Sequence, residues 1–192
     1  MDEHSLSGAT PDAELLKRIA RKDRLAIQAL YGRYQVRLHR FITSLTKNEA
    51  IAEELTNETF LEVWKAAGNF EGRSAPSTWI YSIARFKTLS VLRKRSDAEL
   101  DEEYASSIED DSDTPEEVAL KQSKAEAIKS CLELLSPQHR EVIDLVYYHE
   151  KSVKEVGEIV GVPDNTVKTR MFHARKRLSE LMRQRGVDRG WP

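Results

Sequence analysis

The sequence is poor in the residues that build disulfide-bonded, metal-binding and membrane-spanning proteins. Its one cysteine, Cys131, excludes an intramolecular disulfide and a multi-cysteine zinc site. Its 8 glycines and 6 prolines are too few for a collagen-like or low-complexity chain. No run of about 18 apolar residues occurs, so no membrane span is expected, and the N-terminal residues lack the pattern of a secretory signal. We therefore expect a cytoplasmic protein, with 192 residues for one ordinary domain or two small ones.

Charge is distributed unevenly along the chain, although the net charge is only −2. The segment from Asp97 to Val118 has eleven acidic residues and no basic one, whereas the other 170 residues carry 30 basic and 21 acidic groups. A basic body is typical of proteins that bind a polyanion. Because its acidic groups repel one another, the segment 97–113 is predicted to be a disordered linker. A solvated spacer is the simpler interpretation, and an acidic strand that follows a basic channel in a partner is the alternative.

Residues 12–96 have the periodicity of a small helical domain. Apolar residues recur at spacings of three and four, as in Leu30, Tyr34 and Leu38. Residues 68–74 have the composition of a loop. The helix boundaries are predicted from the capping residues Thr10-Pro11 for the first helix, Asn48 and Gly68 for the third, and Ser74 for the fourth.

Residues 114–186 are predicted to form a second helical domain. Thr114-Pro115 and Ser136-Pro137 mark two helix starts. Cys131 lies beside an apolar stripe, so we expect it in the core. The stretch 142–148 is rich in β-forming residues, but the helical segments on both sides favour a helix there.

A helix-turn-helix pattern follows in this second half. Ser152 and Glu155 have the spacing of a capping box, Gly161 supplies a turn, and a long helix is predicted from about Asp164 to about Arg183. A short helix, a glycine turn and a longer basic helix are typical of a DNA-binding unit.

The long helix concentrates positive charge. Residues 168–185 carry seven basic groups and one acid. Lys168, Thr169 and His173 lie near its start and away from its apolar side, where a docked helix meets base edges. A solvated basic helix in a bundle is the alternative interpretation.

A weaker nucleic-acid signal lies in the first half. Basic residues between 73 and 95 are interleaved with Phe70, Trp79 and Tyr81. Such a mixture suits single-stranded nucleic acid, whose bases stack on aromatic rings. The alternative is that the aromatic residues are core and the arginines are solvated.

Four motifs in this order resemble the extracytoplasmic-function (group 4) sigma factors of the sigma-70 family. They are the segments 52–64 (AEELTNETFLEVW), 70–85 (FEGRSAPSTWIYSIAR), 135–142 (LSPQHREV) and 165–170 (NTVKTR). The resemblance covers both predicted domains. It implies an all-α fold with a sigma-2-like bundle and a sigma-4-like helix-turn-helix domain on a flexible acidic linker.

The resemblance also implies roles for particular residues. The partners would be core RNA polymerase (its β′ coiled coil and β flap), promoter DNA and an anti-sigma factor, with no cofactor or metal and with a role in a stress or envelope response. Binding to the polymerase is expected of Glu54, Leu55, Asn57, Glu58, Phe60 and Trp64. Reading of the −10 element is expected of Asn69, Phe70, Arg73, Ser74, Trp79 and Arg85. Binding to the −35 element is expected of Asn165, Thr166, Lys168, Thr169, Arg170, His173, Arg175 and Arg177, of which Arg170, Arg175 and Arg177 are expected to serve phosphates or the β flap.

The chain departs from the family in the helix after the −10 loop. Following Ile83-Ala84-Arg85 the family usually has Asn and, a few residues on, Asp, whereas this chain has Phe86-Lys87-Thr88-Leu89-Ser90. The polar contacts of that helix, and with them the −10 preference, are expected to differ. The recognition helix has Asn165 where the family usually has Gly, which suits a helix start.

Other classes of function fit less well. A free-standing helix-turn-helix regulator leaves the 52–64 motif unexplained. A sigma mimic that only sequesters an anti-sigma protein would be expected to lose the basic recognition face. An enzyme is least favoured, because the histidines lack metal-ligand spacing and no Gly-rich phosphate loop occurs.

Overall fold

The computed structural model describes residues 10–99 and 126–185, apart from the side chains of residues 96–99. The first part contains α1 (Asp12–Ala20), α2 (Arg24–Thr46), α3 (Glu49–Ala66), a 3₁₀ turn (Ala67–Asn69) and α4 (Pro76–Glu99). The second contains α5, described over 126–133, then α6 (Pro137–Tyr147), α7 (Val153–Val160) and α8 (Asp164–Gln184). No strand occurs within these ranges, so the predicted all-α fold is confirmed.

The first four helices pack around a continuous apolar core. The predicted stripe of α2 is largely buried, since Leu30, Leu38 and Phe41 are inaccessible to solvent. The helices α1, α3 and α4 all contact α2. Asn48 caps α3 as predicted, because its side-chain oxygen accepts from the Ile51 amide at 3.0 Å.

Three predicted boundaries in this domain are wrong. Helix α1 begins at Asp12, and extended Pro11 (ψ 145°) takes the N-cap position predicted for Thr10. Gly68 does not terminate α3 in a left-handed conformation, because the chain tightens into the 3₁₀ turn after Ala66. Helix α4 begins at Pro76, so Ser74 lies two residues ahead of it, and the preset φ of proline suits the first turn.

The second domain folds as the helix-turn-helix pattern predicts. Ser152 and Glu155 form both bonds of the capping box. Gly161 ends α7 in the left-handed region (φ 71°). The side of α8 that faces α6 and α7 buries its apolar residues, and Cys131 is also fully buried. The Ser136 cap and the helical state of residues 142–147 are confirmed.

The two domains pack against each other. Helix α4 lies against α7, and α2 lies against α6. This packing is not part of the sequence prediction, which expects two domains on a flexible linker.

The predicted linker is tested only at its start. Helix α4 continues to Glu99, three residues into the range 97–113. Residues 100–113 and the predicted helix start at Thr114-Pro115 lie outside the described residues. None of the described helices is both long and apolar enough to cross a membrane. Within the described ranges no three potential metal-ligating side chains cluster together.

Candidate nucleic-acid and polymerase interfaces

One side of α8 is an exposed polar and cationic surface, which we call the recognition face. Val167, Met171 and Ala174 are buried and anchor the helix to its own domain. The eight residues predicted to bind DNA at the −35 element are exposed or half-buried on the rest of its surface. The structure therefore places all eight where a ligand can reach them.

The N-terminal half of α8 carries three exposed residues of this face. Lys168, Thr169 and His173 are exposed, and the Thr169 hydroxyl donates to the Asn165 carbonyl at 2.9 Å. His173 lies beside His139 of α6, with ring centroids 6.4 Å apart. Burial, His173 and Arg170 lower the pKa of His139, which favours its neutral form. Arg177 lies further along and reaches Glu180 at 3.5 Å.

The loop between α3 and α4 surrounds a cavity of about 260 Å³. Gly72 has a φ of 72°, which lets the chain turn back over the cavity. The Phe70 and Trp79 rings pack against each other with centroids 5.3 Å apart and form an apolar wall. The exposed Arg73 pairs with Glu71 beside the opening. Of the six residues predicted for the −10 element, the structure brings five together here: Asn69, Phe70, Arg73, Ser74 and Trp79.

Arg85, the sixth, does not join this cavity. Its guanidinium donates to both carboxylate oxygens of Glu141 on α6, at 2.6 and 3.2 Å. Glu141 is buried to 6 % exposure. Charge-assisted pairs of this geometry are among the stronger polar contacts, so in this arrangement Arg85 joins the two domains.

Further polar contacts join the two domains. The Tyr81 hydroxyl lies 2.9 Å from His149 Nδ1, and the Lys151 ammonium donates to Ser77 Oγ at 2.6 Å. The Thr78 hydroxyl donates to Glu155 at 3.0 Å. Sequence reasoning assigned Glu155 to helix capping alone and gave no role to His149 or Lys151.

Burial and hydrogen bonds shift the pKa values of the titratable groups where the two domains meet. Burial lowers the pKa of Lys151, against the opposing influence of Glu155. Burial raises the pKa of the Tyr81 hydroxyl, which stays protonated. Burial also acts to raise the pKa of Glu155, but hydrogen bonds from Ser152 and Thr78 outweigh it and leave that pKa below its ordinary value. The carboxylate is therefore ionised at neutral pH.

A groove of about 520 Å³ runs between α2 and α3. The Phe60 and Tyr31 rings form its floor, with centroids 4.7 Å apart, and the Tyr31 hydroxyl donates to Asn57 at 3.2 Å. Leu61 is 58 % exposed on α3 at its rim and extends the apolar surface of the groove into solvent. We call this feature the α2–α3 groove.

The α2–α3 groove contains some of the predicted polymerase-binding residues. Asn57, Phe60 and Trp64 line it, and Glu54 is exposed on the same helix. Glu58 pairs with Lys87 at 3.4 Å instead. Leu55 is 2 % exposed and belongs to the core. Tyr31 and Leu61 also line the groove, and the sequence prediction did not include them. Leu61 could have been identified, because it is an apolar residue that lies outside the buried stripe of α3.

Two family models match the chain in the order of its two domains. Sigma-70 region 2 matches residues 30–98, and Sigma-70, region 4 matches residues 125–178. Together they span more than half of the sequence. The chain belongs to the sigma-70 family. Region 2 contains the α2–α3 groove and the loop cavity, and region 4 contains the helix-turn-helix with most of the recognition face.

Curated relatives and a solved structure of this family match most of the chain. The ECF RNA polymerase sigma factor SigW of Bacillus subtilis (strain 168) is 29% identical over 177 residues, 88% of this chain and 95% of that protein. SigK of Mycobacterium sp. (strain KMS) is 27% identical over 160 residues, 82% and 83% of the two chains. The sigma factor RpoE of Bartonella quintana, solved with the anti-sigma factor NepR, is 26% identical with a TM-score of 0.68, over 81% of this chain and 96% of that one.

Proposed function

We propose that this sigma-70 family member is the promoter-specificity subunit of RNA polymerase. The first domain binds the core enzyme through the α2–α3 groove and holds the −10 element at the 69–74 loop. The second domain reads the −35 element through the recognition face. The observation that carries the proposal is the presence, in one chain, of a region 2 domain with an exposed apolar groove and a region 4 domain with a cationic helix surface.

The two domains are assigned different promoter elements because the recognition face and the loop cavity differ in chemistry. An exposed α-helix with short and cationic side chains near its start fits the major groove of duplex DNA. A cavity with aromatic walls and an arginine at its opening fits a base that has left the stack, which lowers the cost of local melting. Phosphate contacts from the remaining arginines position the complex without reading sequence.

Promoter binding requires the two domains to separate. The −10 and −35 elements are about 25 base pairs apart, which is about 85 Å of duplex at roughly 3.4 Å per base pair, whereas α4 and α7 are in direct contact. The predicted linker residues beyond α4, 100–113, could span about 50 Å if fully extended, and the segment 114–125 and the two domains add to that reach. Both elements come within reach of the chain only once the contacts of Arg85 and Tyr81 with the second domain break.

The packed arrangement is also the one suited to control by an anti-sigma factor. The Bartonella quintana RpoE structure contains NepR, and its match covers a larger share of this chain than either domain alone. An anti-sigma partner that stabilises the packed domains would preserve the ion pair between Arg85 and Glu141. It would thereby prevent the two domains from binding the −10 and −35 elements at the same time.

Binding to core polymerase tests the proposal most simply. We expect the intact protein to co-purify with core enzyme and Leu61→Asp to reduce that binding at least tenfold, because a carboxylate would enter an apolar groove. Val36→Asp is the matched control, since Val36 is 66 % exposed on α2 and does not line the groove. Failure of the intact, folded protein to bind core polymerase would rule out the proposed function.

A further inference from the structure

A cavity of about 360 Å³ lies where the two domains meet, between α2, α5 and α6. The end of α2 contributes Arg40 and Lys47, α5 contributes Lys129, and α6 contributes Ile143 and Asp144. The volume lies within the range of about 300–1,000 Å³ that is typical of small-molecule sites, which often occur where domains meet. We call this feature the junction cavity.

The junction cavity is lined by cationic side chains that have no acidic partner. Arg40 and Lys129 are exposed, and neither they nor Lys47 form an ion pair within the described residues. Arg140 also lines the cavity, and its guanidinium donates to the backbone carbonyls of residues 132, 133 and 135 at 2.7 to 3.1 Å. Four positive charges, two from each domain, therefore converge on one cavity.

The two acids of the junction cavity do not cancel this charge. Asp144 already accepts a hydrogen bond from the Ser44 hydroxyl at 3.0 Å, and Glu133 is exposed. Partial burial and then the nearby Arg140 lower the pKa of Lys47, against the opposing influence of Glu133 and Asp144. The positive charge of Lys47 is thus disfavoured in the free protein, and a bound anion would stabilise it.

Apolar and aromatic side chains accompany these charges. Leu132 and Ile143 line the same cavity, and so does Tyr148, which is 53 % exposed. Lysine and arginine side chains bind phosphate groups through charge-assisted hydrogen bonds, and the flat ring of a nucleobase can pack on a tyrosine ring. The lining therefore fits a small anion with several phosphate groups better than it fits a metal ion or an apolar compound.

We propose that the junction cavity binds a small molecule with several phosphate groups, which bridges the cations of the two domains and stabilises their packed arrangement. The site follows from the cavity itself, whereas its effect on transcription rests on the proposed function. Separation of the domains divides the site, because Arg40 and Lys129 then move apart. A ligand of the packed form alone, at 100 times its dissociation constant, raises the ratio of packed to separated protein by about 100-fold. Because promoter binding requires separation, such a ligand would inhibit the protein without contacting the recognition face.

Calorimetric titration of the intact free protein tests the site, with ATP and inorganic tripolyphosphate as the two probes. We expect both probes to bind, and Arg40→Gln and Lys129→Gln each to weaken the affinity by about tenfold or more, because each variant removes a hydrogen bond from a charged group of one domain. Lys65→Gln is the matched control, since Lys65 is exposed on α3 and does not line the cavity. Tighter binding of ATP than of tripolyphosphate, with the difference lost in Tyr148→Leu, would identify a nucleotide. Equal binding of the two probes would identify the phosphate groups alone.

X-ray scattering of the same protein tests the effect on domain packing. We expect the wild type to remain compact with bound tripolyphosphate. Glu141→Ala, which loses the ion pair with Arg85, should be as compact as the wild type when the probe is bound. A double variant that combines Glu141→Ala with Lys129→Gln should not respond to the same concentration of probe. A larger radius of gyration in either probe-bound single-chain form, wild type or Glu141→Ala, would contradict bridging.

Three further outcomes would overturn the inference. Absence of binding of both probes removes the site. Equal loss of affinity in Lys168→Gln, on the recognition face, would show adventitious binding of phosphates to any exposed cation. Expansion of Lys129→Gln without any probe would instead show that these cations pair with the acidic residues of the chain's own 97–113 segment. If the probes bind as expected but the protein does not bind core polymerase, the proposed function fails and the site remains.

Discussion

We expect single side chains on α8 to divide into those that reach bases and those limited to the phosphate backbone. Lys168 and Thr169 lie in the first two turns, where a docked helix penetrates deepest into the groove. Arg177 lies about two and a half turns beyond Lys168 and reaches toward Glu180 at 3.5 Å. Position along the helix, rather than charge, therefore distinguishes the two roles.

This division predicts different consequences for two cationic residues. We expect Lys168→Ala to change which −35 bases are preferred and to cost about 1–3 kcal/mol at the affected base pair. Arg177→Ala should weaken binding to all promoters similarly and flatten the salt dependence. The measurement is selection from a −35 library with each variant holoenzyme at fixed salt. Unchanged base preference in both variants would make α8 a phosphate anchor only.

At the scale of helices and turns, the helix-turn-helix depends on a close approach of the chain to itself. A methyl group at Gly157 would lie 2.8 Å from the Val162 carbonyl oxygen and 3.1 Å from the Asp164 carboxylate. Val162 belongs to the turn and Asp164 is the first residue of α8, so the absence of a side chain at Gly157 allows α7 and the start of α8 to approach each other closely.

We expect Gly157→Ala to lower the free energy of unfolding by about 1–3 kcal/mol, because the added methyl overfills the turn. Gly32→Ala is the matched control: Gly32 lies inside α2, nothing lies within 4 Å of the added methyl, and the higher helix propensity of alanine should stabilise the protein by up to about 1 kcal/mol. Urea unfolding followed by circular dichroism measures both. Equal changes in the two variants would contradict the steric account.

The helices themselves were largely predictable, because their signals are local. The caps Asn48 and Ser152 and the turn at Gly161 each act within four residues of the chain and are confirmed. The boundaries predicted at Gly68 and Ser74 are wrong because two local conformations compete at each position. At Gly68 a 3₁₀ turn forms in place of a glycine C-cap, and near Ser74 the helix starts at Pro76 in place of a serine N-cap. The close approach at Gly157 depends on the turn geometry and had no separate signal in the sequence.

The whole molecule is organised by contacts between the two domains that no local pattern predicts. Arg85 and Glu141 are 56 residues apart in sequence, and Tyr81 and His149 are 68 apart. Arg85 was predicted to contact the −10 element, but in the packed arrangement its guanidinium is bound to the second domain. The observed partner of the Arg85 guanidinium is thus Glu141 rather than the promoter DNA that the resemblance implies.

Removal of the ion pair between Arg85 and Glu141 should favour separation of the two domains. We expect Glu141→Ala to increase the radius of gyration in X-ray scattering and to lower the thermal stability of the packed form, since it leaves Arg85 partly buried without its carboxylate. Lys87→Ala on α4, the helix that carries Arg85, is the control, because it breaks the 3.4 Å pair with Glu58 inside the first domain. An unchanged radius for Glu141→Ala would show that the ion pair does not hold the domains together.

Run-off transcription with core polymerase on a promoter library tests the central claim most directly. The account predicts defined start sites only when core enzyme and this protein are both present, with enriched sequences near −10 and −35, and loss of those starts with Leu61→Asp. Glu141→Ala should retain them. Transcripts that are the same with and without the protein, or promoter binding that needs no core polymerase, would contradict the account.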